Sequence, residues 1–202
     1  YDLTSGANNI AMGYRAGYNL TTAAGNTILG TQAVGTGILT GANNVVIGKL
    51  AGDNMTSADA NVIIGEDAGA AQTTAGNNVL IGQGAGEGLT TGGDNIFVGT
   101  SAGDGHDAET NNLGIGKAAL GGGIAGGEYN VAIGNQALDA LTSGDQNVAV
   151  GFASGTALQG GANNTFVGNA SGAAVTSGGN NVFVGGDAGA TVTTADRNTI
   201  VG

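Results

Sequence analysis

Tyr129-Asn130-Val131-Ala132-Ile133-Gly134 is followed, seventeen residues on, by Gln146-Asn147-Val148-Ala149-Val150-Gly151. The same phrase (an Asn, three residues that are almost all apolar, then Gly) recurs along the whole chain. It closes at Gly13, Gly30, Gly48, Gly65, Gly82, Gly99, Gly116, Gly134, Gly151, Gly168, Gly185 and Gly202. The interval is 17 residues except for two intervals of 18, and each of those gains its residue in glycine-rich text near Gly37 or Gly123. Self-similarity at a fixed short period is the signature of a repeat architecture. Residues 1–202 read as one array of twelve copies, with no room for a second domain or a linker.

The unit selects the architecture. Short runs of β-branched residues without a helical period predict strands. Gly and Thr at this density weaken a helix. The chain has no Pro, which fits strands paired on both edges, where Pro would delete a ladder hydrogen bond. The expected fold is all-β, a parallel β-roll solenoid of about twelve 17-residue coils. At ~4.8 Å per coil it makes a rod of roughly 55 Å.

Within a coil, the residues one and three before the closing glycine are apolar or Thr, as in Val182 and Val184. Alternation places both on one face, read here as the coil's own core. The residue between them points the other way. That column runs Ala11, Ile28, Val46, Ile63, Leu80, Phe97, Gly114, Ala132, Ala149, Phe166, Phe183, Ile200 and contains no polar side chain. A sheet dry on both faces is one covered on both sides. Ile28, Val46, Ile63, Leu80, Phe97, Phe166, Phe183 and Ile200 are therefore the expected subunit interface. A small residue stands three positions after each closing glycine, such as Ala85 or Ser154. A larger apolar residue follows in most coils: Leu20, Ile38, Met55, Leu89, Ile124, Leu141, Leu158, Val175, Val192.

Composition excludes several functions. Four Lys and Arg against fifteen Asp and Glu give a net charge of -11, so no basic stripe can be assembled for nucleic acid. There is no Cys, which removes thiolate zinc sites and thiol catalysis. No apolar run reaches the ~20 residues of a membrane-spanning helix. The one His, in Asp104-Gly105-His106-Asp107-Ala108-Glu109, lacks partners for a catalytic triad, and the patch reads as a divergent polar turn. The expectation is no enzyme, no metal and no cofactor. The invariant Asn reads as a structural ladder: Asn9, Asn26, Asn44, Asn61, Asn78, Asn95, Asn112, Asn130, Asn147, Asn164, Asn181 and Asn198.

The unit G-x-x-A-[GL]-x-x-[LVM]-T-[TS]-G-x-N-N-[VT]-x-[VI]-G resembles the tandem repeats of phage tail-fibre shafts. It is also similar to the head repeats of trimeric autotransporter adhesins. Gly134-Asn135-Gln136-Ala137-Leu138, then Thr142-Ser143-Gly144, then Asn147-Val148-Ala149-Val150-Gly151 carries it best. The resemblance implies a homotrimer whose apolar strands meet around the trimer axis, in an extracellular setting on a virion or bacterial surface. It supplies no catalytic residue. The expected role is a stiff shaft or spacer within a longer fibre protein, meeting its receptor through parts outside this segment. Alternatives are a self-polymerising surface filament and an ice- or glycan-binding solenoid. The ice reading would use the Thr column Thr21, Thr56, Thr73, Thr90, Thr142, Thr176, Thr193.

Overall fold

The computed structural model describes residues 6–123, 127–194 and 196–202; Ile124, read above as an inward contact, lies outside them. Twelve three-residue strands follow one another in the chain and in space. They are β1 (Ile10–Met12), β2 (Thr27–Leu29), β3 (Val45–Ile47), β4 (Val62–Ile64), β5 (Val79–Ile81) and β6 (Ile96–Val98). Then come β7 (Leu113–Ile115), β8 (Val131–Ile133), β9 (Val148–Val150), β10 (Thr165–Val167), β11 (Val182–Val184) and β12 (Thr199–Val201). They form one parallel sheet in order β1 to β12, in a register that aligns the repeat with itself: Ala11 on Ile28, Leu80 on Phe97, Phe166 on Phe183. The chain is an all-β parallel solenoid of about eleven turns, and no helix occurs among the described residues.

The core lies inside the coil, and it corrects the expected use of the two sheet faces. Ile28, Val46, Ile63, Leu80, Phe97, Phe166 and Phe183 are fully buried within the single chain. Ile200, in the last strand, is half-buried against the same core. Their column faces the small residues Ala16 to Ala188 and the larger residues of the opposite wall. The flanking strand residues, read above as core, point outward and are half-buried or exposed in all twelve strands. The reason is volume. Inward side chains must match a wall at fixed distance, so their size varies with what they face, from Gly114 to Phe97.

That matching can be followed along the wall. The fourth residue after each closing glycine is left-handed in eleven successive coils, with φ between 49° and 65°. It is Gly in eight of them. A Cβ at Gly103 would fall 2.4 Å from the Phe97 ring, and one at Gly189 would fall 2.5 Å from Phe183. Where the strand centre is Gly114 or Ala132, the same position holds Leu120 or Leu138, both fully buried. In those two coils a large wall residue offsets a small strand centre, whereas beside Ala149 and Gly155 the space is filled by Phe166 and Leu138 of the adjacent coils.

The first 18-residue interval is absorbed before the opposite wall. Leu39 is buried there, while Ile38, the residue expected to point inward, is 57% exposed. The next residue, Thr40, then joins the Thr column, and its hydroxyl donates to the Thr56 carbonyl at 3.1 Å.

Candidate functional site

Two features run the full length of the rod, one inside and one outside. Inside, at the corner before each strand, the Asn side chains stack. Each Oδ1 accepts the backbone N–H of the next ladder Asn at 2.8–3.0 Å, through eleven steps from Asn9 to Asn198. In ten coils the Nδ2 donates to a backbone carbonyl across the corner at 2.7–3.0 Å. From Asn26 to Asn181 all ten ladder residues are buried, so their amides meet backbone and not solvent. The left-handed residue of this turn is the one before the ladder Asn, as at Asn77 (φ 60°), Ala60 and Asp94.

The ladder gives a sharp prediction. Asn78→Ala strands the Asn95 N–H and the Gly92 carbonyl in the core. Each orphaned group costs about 1–3 kcal/mol, so the expected loss is about 2–6 kcal/mol in denaturant unfolding. Asn77→Ala is the matched control: Asn77 is exposed, and Ala60 already holds the same backbone conformation.

Outside, two ranks of side chains flank the buried strand centres. One begins Ile10, Thr27, Val45, Val62 and the other Met12, Leu29, Ile47, Ile64. No charged residue and no amide occurs in any of the twelve strands; Thr27, Thr165 and Thr199 are the only polar side chains. Ile96 is 41% exposed and Val182 39%, and exposure rises to 75% at Val201 in the last strand. The net charge of -11 is therefore carried wholly by the turns and the other sides of the coil. Beside this face the Lys49–Glu66 pair at 2.7 Å links adjacent coils, and hydrogen bonding and charge from Glu66 raise the Lys49 pKa.

The Thr column lies elsewhere on the coil and is engaged by the backbone. Hydroxyls of Thr40, Thr56, Thr73, Thr142 and Thr176 donate to a carbonyl of the next coil at 3.0–3.1 Å. Thr90 is half-buried, and its hydroxyl is held by the Asp107 carboxylate. The Asp104–Glu109 patch is not a wholly polar turn. His106 is fully buried, 4.6 Å from the Phe97 ring centre, and Glu109 folds back so that its Oε2 accepts the N–H groups of Asp107 and Ala108. Burial raises the Asp104 and Asp139 carboxyl pKa values, with Asp139 adding to the shift at Asp104. Among the described residues there is no cavity and no cluster of three or more His, Cys, Asp or Glu able to hold a metal. No described helix is long and apolar enough to cross a membrane.

No family model, curated protein or solved structure matches this chain.

Proposed function

We propose that this chain is a stiff shaft segment of an extracellular fibre, a homotrimer whose three rods meet through the outward sheet face. The observation that carries the reading is the uncharged, almost wholly apolar double rank running unbroken from β1 to β12. Patches above a few hundred Å² on soluble chains mark interaction surfaces. This one extends along all twelve strands, the length over which a standard stable interface of roughly 800 Å² per partner can form. The occupant that fits it is another copy of the same chain. Only a rod with the same rise per coil keeps its ranks in step over twelve strands, and a face without charge lets acidic rods approach. Closed symmetry buries equal stripes along one axis, and the resemblance to fibre repeats selects three copies. Receptor contact then belongs to parts of the fibre outside this segment, on a virion or a bacterial surface, and the segment itself performs no chemistry.

The test is the solution mass of the chain by light scattering. The expected value is three times 19.1 kDa. Ile81→Asp with Val98→Asp should give a folded monomer, with β-sheet circular dichroism retained. A wild-type monomer at micromolar concentration overturns the proposal. Thermal hysteresis from that monomer would instead assign the regularly spaced face to ice.

A further inference from the structure

We propose that the turn around His106 is an acid-operated weak point: protonation of the buried ring opens this one coil while the coils on either side stay stacked. His106 takes the inward position that is Leu89 one coil before and Met55 three coils before, and it is fully buried. Its ring packs on Phe97 at 4.6 Å with planes 57° apart, as an apolar filler does. Among the described residues neither Nδ1 nor Nε2 makes a hydrogen bond of good geometry, and only the Gly103 backbone approaches the ring as a weak acceptor. A neutral ring tolerates that position at the cost of its unmade hydrogen bonds, whereas an imidazolium there is a charge without solvation.

The titratable groups of this turn are Glu109, Asp104 and Asp107, and the position of Asp104 holds Glu87 one coil before and Asp139 two coils after. Glu109 favours the charged ring most and the Gly103 backbone adds a smaller push the same way, while the Glu109 Oε2 is already engaged by the Asp107 and Ala108 N–H groups. Burial outweighs that attraction and lowers the His106 pKa to about 4. A folded-state pKa below the unfolded value of ~6.5 means stability that is whole above pH 6.5 and lost as pH falls towards 4. Asp104 and Asp139 act in the opposite sense, because carboxyls with raised pKa values gain stability as they protonate. Of the groups with shifted pKa values here only the ring loses stability in acid, and the His106 variants separate it from the Glu109 carboxylate that also holds this turn.

Hydrogen exchange read by mass spectrometry at pH 7.5 and 4.5, corrected for intrinsic rates, tests this on the wild type, His106→Leu and His106→Gln. In the wild type, opening across residues 101–112 should increase on the order of fifty-fold at pH 4.5, with residues 60–82 unchanged. Both variants should lose the increase. Leu repeats the side chain of the neighbouring coil, and Gln repeats Gln72, which is buried in the same column. Because His106 is the only His, its proton resonance gives an independent reading, with an expected midpoint near 4. A midpoint near 6.5, an unchanged wild type, variants that still open in acid, or a rod that opens as a whole would each overturn the proposal.

Discussion

Phe166→Asp with Phe183→Asp is expected to unfold the C-terminal third of the rod, whatever its oligomeric state. Both rings are fully buried inside the coil, their centres 5.4 Å apart. They are enclosed by three glycines with no room to give: a Cβ at Gly155, Gly172 or Gly189 would already lie 2.5–2.8 Å from a Phe ring. Deleting one buried Phe costs about 3–5 kcal/mol. A carboxylate in its place adds desolvation worth several kcal/mol, and the two charges would sit one coil apart, ~4.8 Å along the stack. Because each coil contacts only its neighbours, the damage spreads from β10 and β11 and leaves β1 to β6 protected. Limited proteolysis with mass mapping should return an intact N-terminal fragment. Val182→Asp with Val184→Asp changes the same strand on its outward face, where the two residues are 39% and 37% exposed. That pair should leave the coil folded and act only on assembly. Equal melting temperatures for the two double variants would put the core on the wrong face.

The contrast also marks how far the sequence could be read. The 17-residue period, the parallel stacking and the Asn column need only spacing and residue type, and they stand in the structure. The sense of the two faces did not follow, because three apolar residues in a row satisfy either orientation. Two signals were present. The ladder Asn lies two residues before the strand centre, as Asn44 before Val46, so period-two alternation sends both inward. Leu120 and Leu138 also stand opposite two of the small strand centres, Gly114 and Ala132, which marks that column as one with a wall to match. Other features were hidden for physical reasons. An extra residue can be absorbed at several points of a turn, so Leu39 rather than Ile38 faces inward. His106 sits among polar neighbours in sequence, yet the coil geometry assigns its position to the interior. The 24 non-glycine residues with positive φ among the described residues are invisible to composition, because a Leu or an Ala takes that conformation only when the coils around it fix the path.

The closing glycines should be the least replaceable residues of the fold, and Gly82→Ala should cost several kcal/mol. Gly82 has φ +137°, a region essentially closed to side chains. Its ideal Cβ would lie 2.4 Å from the Gly99 carbonyl oxygen and 2.6 Å from the Gly99 carbonyl carbon, both backbone atoms of the next coil. Backbone strain of this kind costs about 1–3 kcal/mol, before any clash. The clash cannot be relieved locally. Moving Gly99 away breaks the bond from the Gly99 N–H to Ile81 at 2.8 Å, and every closing glycine from Gly13 to Gly168 abuts its successor in the same way. The column thus sets the coil-to-coil distance and excludes any side chain at the point where the strand ends. Gly186→Ala is the comparison: it has no neighbour within 4 Å and no positive φ, so that change should be neutral or slightly stabilising through the unfolded chain. Chemical denaturation of the two variants decides the matter. A Gly82→Ala chain as stable as Gly186→Ala would mean that coils can spread apart cheaply, and the rod would then be too compliant to serve as a stiff shaft.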